Sequence, residues 1–171
     1  MPRIDPSTIE TCPGCGLVGW PPEDEAFGSA ARFGASSACW STFSEVLQRE
    51  YESRMLFLDI HSLTLDAYAA QHPQALPDAS LATHLVRLYL VFELGYETGR
   101  ASARARRFAR RERDYGRLHP VPPHAALTVA HVLPATSHLE HIRRVWEWSE
   151  AVWQSWSPHH AAIARWARRS G

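Results

Sequence analysis

The chain has 171 residues, 45% hydrophobic and 21% charged, with 18 basic residues balanced by 18 acidic ones. That composition excludes an intrinsically disordered chain, and zero net charge leaves no global field drawing it to nucleic acid or membrane. The length suits one domain, expected over 1–171, and no apolar run approaches the ~20 residues of a membrane helix.

Residues 1–35 are rich in Pro, Gly and Ser and lack helical or strand periodicity. Such an arm needs something to hold it, and it carries Cys12-Pro13-Gly14-Cys15-Gly16. Two cysteines separated by two residues on a Gly- and Pro-shaped turn make half of a zinc site. The turn lets two thiolates reach one ion while backbone amides satisfy their other lone pairs. A redox Cys-x-x-Cys is disfavoured because no βαβ pattern surrounds it. Three cysteines cannot all pair within one chain, and no apolar signal stretch precedes them, so a reducing cytoplasm is the expected setting.

From Ser36 the pattern becomes helical. Ser36 or Ser37 caps a helix to about Ser53, with Cys39, Trp40, Phe43, Val46 and Leu47 on one face. A second helix is predicted from Met55 or Leu56 to Gln71, ended by Pro73. Asp78 or Ser80 caps a third, through Leu81, Leu85, Leu88, Tyr89 and Phe92 to near Gly95. Residues 100–113 are helical in propensity but almost entirely polar. A Pro-rich loop from His119 to His124 follows, then Ala125 to Leu133, a short strand or buried segment. Ser137 caps a long helix to about Trp156, and Ser157-Pro158 reads as N-cap and first residue of a final helix, His159 to Arg168. The fold class is therefore mainly α: an antiparallel helical bundle over 36–171 with a zinc-stapled, loop-rich arm over 1–35.

The third cysteine, Cys39, and one of ten histidines could complete a Cys3His set for Zn2+. His61 and His72 lie on one face of the second helix but ~16 Å apart along its axis, so one ion cannot take both. If the first two helices are antiparallel and turn near Arg54, Cys39 lies level with residues 69–72. The expected ligands are Cys12, Cys15, Cys39 and His72, with His61 as the alternate fourth.

The segment His61 to Pro73, with Asp66, Tyr68, Gln71 and His72, stands with the Cys12–Gly16 knuckle, Cys39 and the tail Trp153, Trp156, His159 and His160. Together they resemble a bacterial family of unknown function marked by Cys-Pro-x-Cys-Gly, Asp-x-Tyr-x-x-Gln-His-Pro and a Trp-rich His-His tail. The resemblance implies a common fold and a shared metal site. It implies no activity.

Asp66 points away from the face of His61 by ~140° and could instead orient His159 or His160 from another helix. A set of His61, Asp66, Tyr68 and His160 converging on a cleft would suit acid–base chemistry on a small-molecule ligand. Trp146, Trp153 and Trp156, with Ile142, read as a core stripe, leaving Trp148 off it; His138 and His141 read as exposed. His84 reads as a hydrogen-bonded core histidine. The arginine-rich stretch 100–117 is the one hint of nucleic acid and reads better as a solvated helix. Two functions remain: a structural zinc site in a binding or assembly domain, or a small-molecule enzyme in the bundle interior.

Overall fold

Seven α-helices dominate the computed structural model, which describes residues 9–22, 34–111, 115–120 and 126–169. Readings that fall on 1–8, 23–33, 112–114, 121–125 and 170–171, including Arg113 and His124, lie outside the described residues. In chain order the elements are β1 (Glu10–Thr11), β2 (Val18–Gly19), α1 (Ser37–Glu52), α2 (Arg54–Asp59), α3 (His61–Gln71), α4 (Asp78–Phe92), α5 (Thr98–Arg111), α6 (His138–Ser155) and α7 (His160–Arg169). Short 3-10 turns occupy Pro73–Ala75, Val129–His131 and Ser157–His159. The chain is mainly α.

The arm is not wholly irregular. β1 and β2 pair antiparallel, Glu10 against Gly19 and Thr11 against Val18, and the cysteine turn is the hairpin tip between them. The Glu10 carboxylate accepts the Ala38 N–H at 2.5 Å, in the first turn of α1, where an anion is favoured by the helix dipole. Ser36 caps the same helix, its hydroxyl accepting the Cys39 N–H at 3.2 Å. The Glu10 bond ties the start of α1 to the arm, and the Ser36 bond caps the helix itself.

α3 is the centre of the fold. From Asp66 to Pro73 every residue is buried, so the C-terminal half of this helix has no solvent face. α4 packs on one side of it and α6 on another. Indole N–H groups from the tail hold its C-terminal end: Trp148 donates to Gln71 Oε1 at 2.9 Å and Trp156 to the Ala70 carbonyl at 3.2 Å. Gln71 in turn donates to the Leu127 carbonyl at 2.8 Å. One apolar cluster runs from Cys12, Cys15 and Leu17 in the arm to Ile163 and Ala167 in α7.

Three sequence expectations are corrected. The second predicted helix is two helices, α2 and α3, because the chain leaves the helical region at Ile60 (φ −134°, ψ −13°). The break buries Ile60 and brings His61 and Thr64 onto the buried Glu50 carboxylate of α1. On α6 the buried face is His141, Val145, Trp148 and Val152, at spacings of four, three and four. Trp148 is fully buried while Trp146 is 36% exposed, packed edge-on against Phe92 at 5.6 Å. Trp153 and Trp156 are buried as expected, so the correction concerns Trp146 and Trp148, which exchange places. The arginine helix α5 is not solvated all round: Ala101, Ala105 and Phe108 form a buried stripe at spacings of four and three, and α4 receives it. Its Arg100, Arg106, Arg107 and Arg110 are exposed, and Arg100 lies 4.1 Å over the Tyr96 ring. Arg117, in contrast, is spent on structure, donating to Asp78 at 2.5 Å and to the Pro73 carbonyl at 3.2 Å.

No helix among the described residues is long and apolar enough to cross a membrane. Exposed arginines away from packing contribute little to stability. Replacing Arg106 and Arg107 together by alanine is therefore expected to leave metal content unchanged and shift the melting free energy by less than ~1 kcal/mol. Parallel elemental analysis and thermal melts check this.

Candidate metal centre

The turn Cys12–Gly16 is shaped by its own backbone. The Cys12 N–H donates to the Leu17 carbonyl at 2.8 Å and the Gly16 N–H to the Cys12 carbonyl at 2.9 Å. Gly16 has φ +76°, a conformation open to glycine and strained for most side chains. This fold presents both sulfurs inward, and Cys12 and Cys15 are buried. Cys39, in the first turn of α1, and His72, at the C-terminal end of α3, face them, each 0% exposed.

The ligating atoms of Cys12, Cys15, Cys39 and His72 all lie within 4.8 Å of one another. His72 Nε2 is 3.3 Å from Cys12 Sγ and 3.5 Å from Cys39 Sγ, and the Cys15 and Cys39 sulfurs are 3.6 Å apart. No pair forms a disulfide. The His72 Nδ1–H donates to the Tyr68 carbonyl at 2.7 Å, one turn back on α3. That bond fixes the tautomer and leaves the Nε2 lone pair directed at the three sulfurs.

The donor set fits a metal ion on three independent grounds. First, a tetrahedral ion with sulfur at ~2.3 Å and nitrogen at ~2.0 Å requires S···S edges of about 3.8 Å and S···N edges of about 3.5 Å. The separations above are close to those values. Second, the protein alone cannot accommodate three thiolates in contact. The Cys12 sulfur beside it pushes the Cys15 thiol up to about 12, and Cys12 followed by Cys15 pushes the Cys39 thiol up as well. Cys12 is driven the other way, below the usual thiol range, by hydrogen bonds from Cys15 and Cys39. A cation at the centre removes this conflict by charging all three. Third, the turn is fitted to the histidine: a Cβ on Gly14 would stand 2.3 Å from His72 Cδ2 and 2.9 Å from the Gln71 carbonyl oxygen.

Gly14→Ala is accordingly expected to displace His72 and weaken metal binding by roughly 10- to 100-fold, the size of effect seen when a ligand's supporting contacts are lost. The helices are expected to remain intact. Competition against a chromophoric chelator, with circular dichroism as the folding control, measures both.

Tyr68 belongs to this centre. The Cys39 thiol lies 3.7 Å from its hydroxyl, and its ring stacks on Phe43 at 3.6 Å and tilts against His72 at 4.1 Å. Burial raises its phenol pKa, so it stays a neutral hydroxyl beside the sulfurs.

The four residues proposed from sequence as an acid–base set lie in separate places. His61 meets Glu50, its Nδ1–H donating to Oε2 at 2.8 Å. Asp66 meets His84 at 2.7 Å and Arg87 at 2.7 Å, both on α4, rather than a histidine of the tail. Tyr68 is at the sulfur cluster. His160 stacks on Trp153 at 3.7 Å and donates to that residue's carbonyl at 3.0 Å. His61 also lies away from the sulfurs, so the geometry favours His72 as the fourth ligand.

Sequence reasoning missed Glu50, which is 0% exposed and accepts from His61, from Thr64 Oγ1 at 2.6 Å and from His141 Nε2 at 3.2 Å. The signal was present: Glu50 continues the buried series Cys39, Phe43, Val46 at helical spacing. Burial pushes its carboxyl up, yet the three hydrogen bonds outweigh that and the net is a lowered value. A depressed carboxyl contributes stability above its unfolded pKa of ~4.3, lost as pH falls through the folded value. Glu50→Gln is expected to flatten the fall in melting temperature between about pH 5 and pH 3 relative to the parent protein, read by thermal melts across that range.

The comparison with known families follows from these residues. The model of DUF5946, a family of unknown function, matches residues 10–157. The chain belongs to that family. No curated protein and no solved structure matches it. In this DUF5946 chain the matched span takes in the hairpin, Cys39, all of α3 and the α6 tryptophans, and so the whole metal centre and the helix that carries His72.

Proposed function

We propose that this DUF5946 chain is a zinc protein, in which Cys12, Cys15, Cys39 and His72 hold one Zn2+ in a closed, structural site. The convergence of four buried ligand atoms within 4.8 Å carries the reading. Three thiolates and an imidazole in tetrahedral arrangement are the donors zinc takes in structural sites, whereas hard cations require oxygen. Four protein ligands leave no open coordination position, so the metal binds and orders rather than reacts. It joins the hairpin to α1 and α3, and the Tyr68 hydroxyl is placed to donate to the Cys39 thiolate once the metal ionises it. A reducing compartment keeps such thiols available, which supports the cytoplasmic assignment.

The domain then serves binding or assembly through surfaces that the metal helps to hold in place. Titrating Co2+ into the metal-free protein tests the reading. One ion per chain with tetrahedral, thiolate-bound visible absorption is the expected outcome. An octahedral spectrum, or no saturable uptake, overturns it.

A further inference from the structure

We propose that the outer face of α2 is a self-complementary contact through which two copies of this chain associate, centred on Met55 and Leu58 and keyed by Arg54 and Asp59. The first observation is exposure. Of the six residues of α2 only Leu56 is buried, at 2% exposure. Met55 and Leu58 are 44% and 62% exposed, and the exposed rings of Phe57 and of Tyr51 at the end of α1, 5.6 Å apart, flank them. A single exposed apolar side chain is ordinary, whereas a cluster bordered by charge marks a contact surface.

The charges give a second, independent observation. Arg54 is the first residue of α2 and Asp59 the last. The helix dipole favours the opposite order, an anion at the N-terminus and a cation at the C-terminus. Neither charge is compensated within the chain: no hydrogen bond or ion pair from a described residue engages either side chain, and Asp59 is held only through its backbone carbonyl, which accepts from Thr98 Oγ1 at 2.8 Å. Both groups therefore stand exposed beside apolar side chains, in positions that do not serve the helix.

The arrangement identifies the occupant. At about 100° and 1.5 Å per residue, Arg54 and Asp59 lie about 140° apart around the helix, on opposite edges and at opposite ends of one face. Met55 and Leu58 lie between them on the other diagonal. A two-fold axis along that apolar diagonal lays each Arg54 on Asp59 of the second copy, and sets Met55 and Leu58 against themselves. One surface thus supplies both halves of each ion pair, which is the property of an isologous dimer contact. A partner of uniform charge would satisfy one of the two groups and repel the other. The face is only about 9 Å long, small beside the ~800 Å² per partner of a standard interface, so the dimer is weak and forms at high protein concentration.

Sedimentation equilibrium of the metal-loaded full chain over about 10–500 µM tests this. The weight-average mass is expected to rise with concentration from the monomer value toward twice that value. Arg54→Asp and Asp59→Arg each place like charges across the axis, and each is expected to weaken association about tenfold or more. Both substitutions agree with the helix dipole, so the fold is expected to persist, with thermal melts and metal content as controls. An equimolar mixture of the two variants is decisive: in the mixed dimer every cation again faces an anion, and most of the parent's affinity is expected to return. A chain that stays monomeric throughout overturns the proposal, whether another protein or a segment of the same chain covers the face. Parental association in both single variants overturns it too, as does a mixture no stronger than the variants alone.

Discussion

Cys12→Ser and Cys15→Ser are each expected to abolish stoichiometric metal binding and to release the hairpin 9–22 from the helices. The reason is geometric and electrostatic together. Each sulfur supplies one corner of a four-cornered site built from three segments, the cysteine turn, α1 and α3, so losing one leaves an incomplete shell. The free energy of structural zinc sites is ~10 kcal/mol or more in small domains that fold only with metal. Here the apolar cluster around α3 holds the helices independently, so only part of that coupling is at stake globally. If ~4 kcal/mol of it reaches the core, the melting temperature falls by roughly 8–16 °C. Exchange protection of the Cys12 and Gly16 amides, both hydrogen-bonded within the turn, is expected to collapse before that of α3. Were these cysteines only small buried hydrophobes, metal content would not change and the cost would be that of an ordinary core substitution. Retained metal with an unaltered melt contradicts the ligand assignment.

Asp66→Ala is the second large effect, and it separates a structural carboxylate from a catalytic one. Asp66 is fully buried on α3, and its Oδ1 receives both His84 and the Arg87 guanidinium. Its Oδ2 is buried without a hydrogen-bond partner, so the residue is already imperfectly satisfied. Removing it leaves the Arg87 charge, whose side chain is 16% exposed, facing a low-dielectric interior with no counter-charge. Breaking one side of a buried pair costs ~3–5 kcal/mol, or roughly 6–20 °C in melting temperature. Because the damage comes from the orphaned charge, the double variant Asp66→Ala with Arg87→Met is expected to recover a substantial part of it. Metal content should stay stoichiometric in both proteins. A double variant no better than Asp66→Ala would show that the pair itself is not the source of the loss.

The centre was legible in the sequence because its parts obey local rules. Cys-x-x-Cys with glycine is a turn whose purpose depends on spacing alone, and Cys39 and His72 could be brought level by counting residues to and from one turn near Arg54. The helices were legible for the same reason: Ser36 and Ser137 cap where their side chains can reach an N–H three residues on. What could not be read depends on contacts between distant segments. The break at Ile60 follows from Glu50 drawing in His61 and Thr64, and nothing local to Leu58–Ser62 encodes it. The partner of Asp66 is on α4 because α4, not the tail, packs beside that face of α3. The α6 stripe and the Ala101, Ala105 and Phe108 face of α5 follow helical periodicity, but smaller residues set their phase rather than the tryptophans and arginines.

The signature around α3 also gains a physical account. Asp66 holds α4 through Arg87, Tyr68 and His72 face the sulfur cluster, and Gln71 holds α6 through Trp148. A helical segment buried on every side, as Asp66 to Gln71 is, can place a different polar group on each neighbour, and each must be satisfied where it is buried. The motif is thus a set of attachments, only one of which concerns the metal.

The central claim is a closed Cys3His zinc site, and elemental analysis with X-ray absorption at the zinc edge on untagged protein tests it most directly. The account predicts one zinc per chain, bound by three sulfurs and one nitrogen. Fewer sulfurs, with oxygen from water in the shell, would contradict it and place chemistry at the metal.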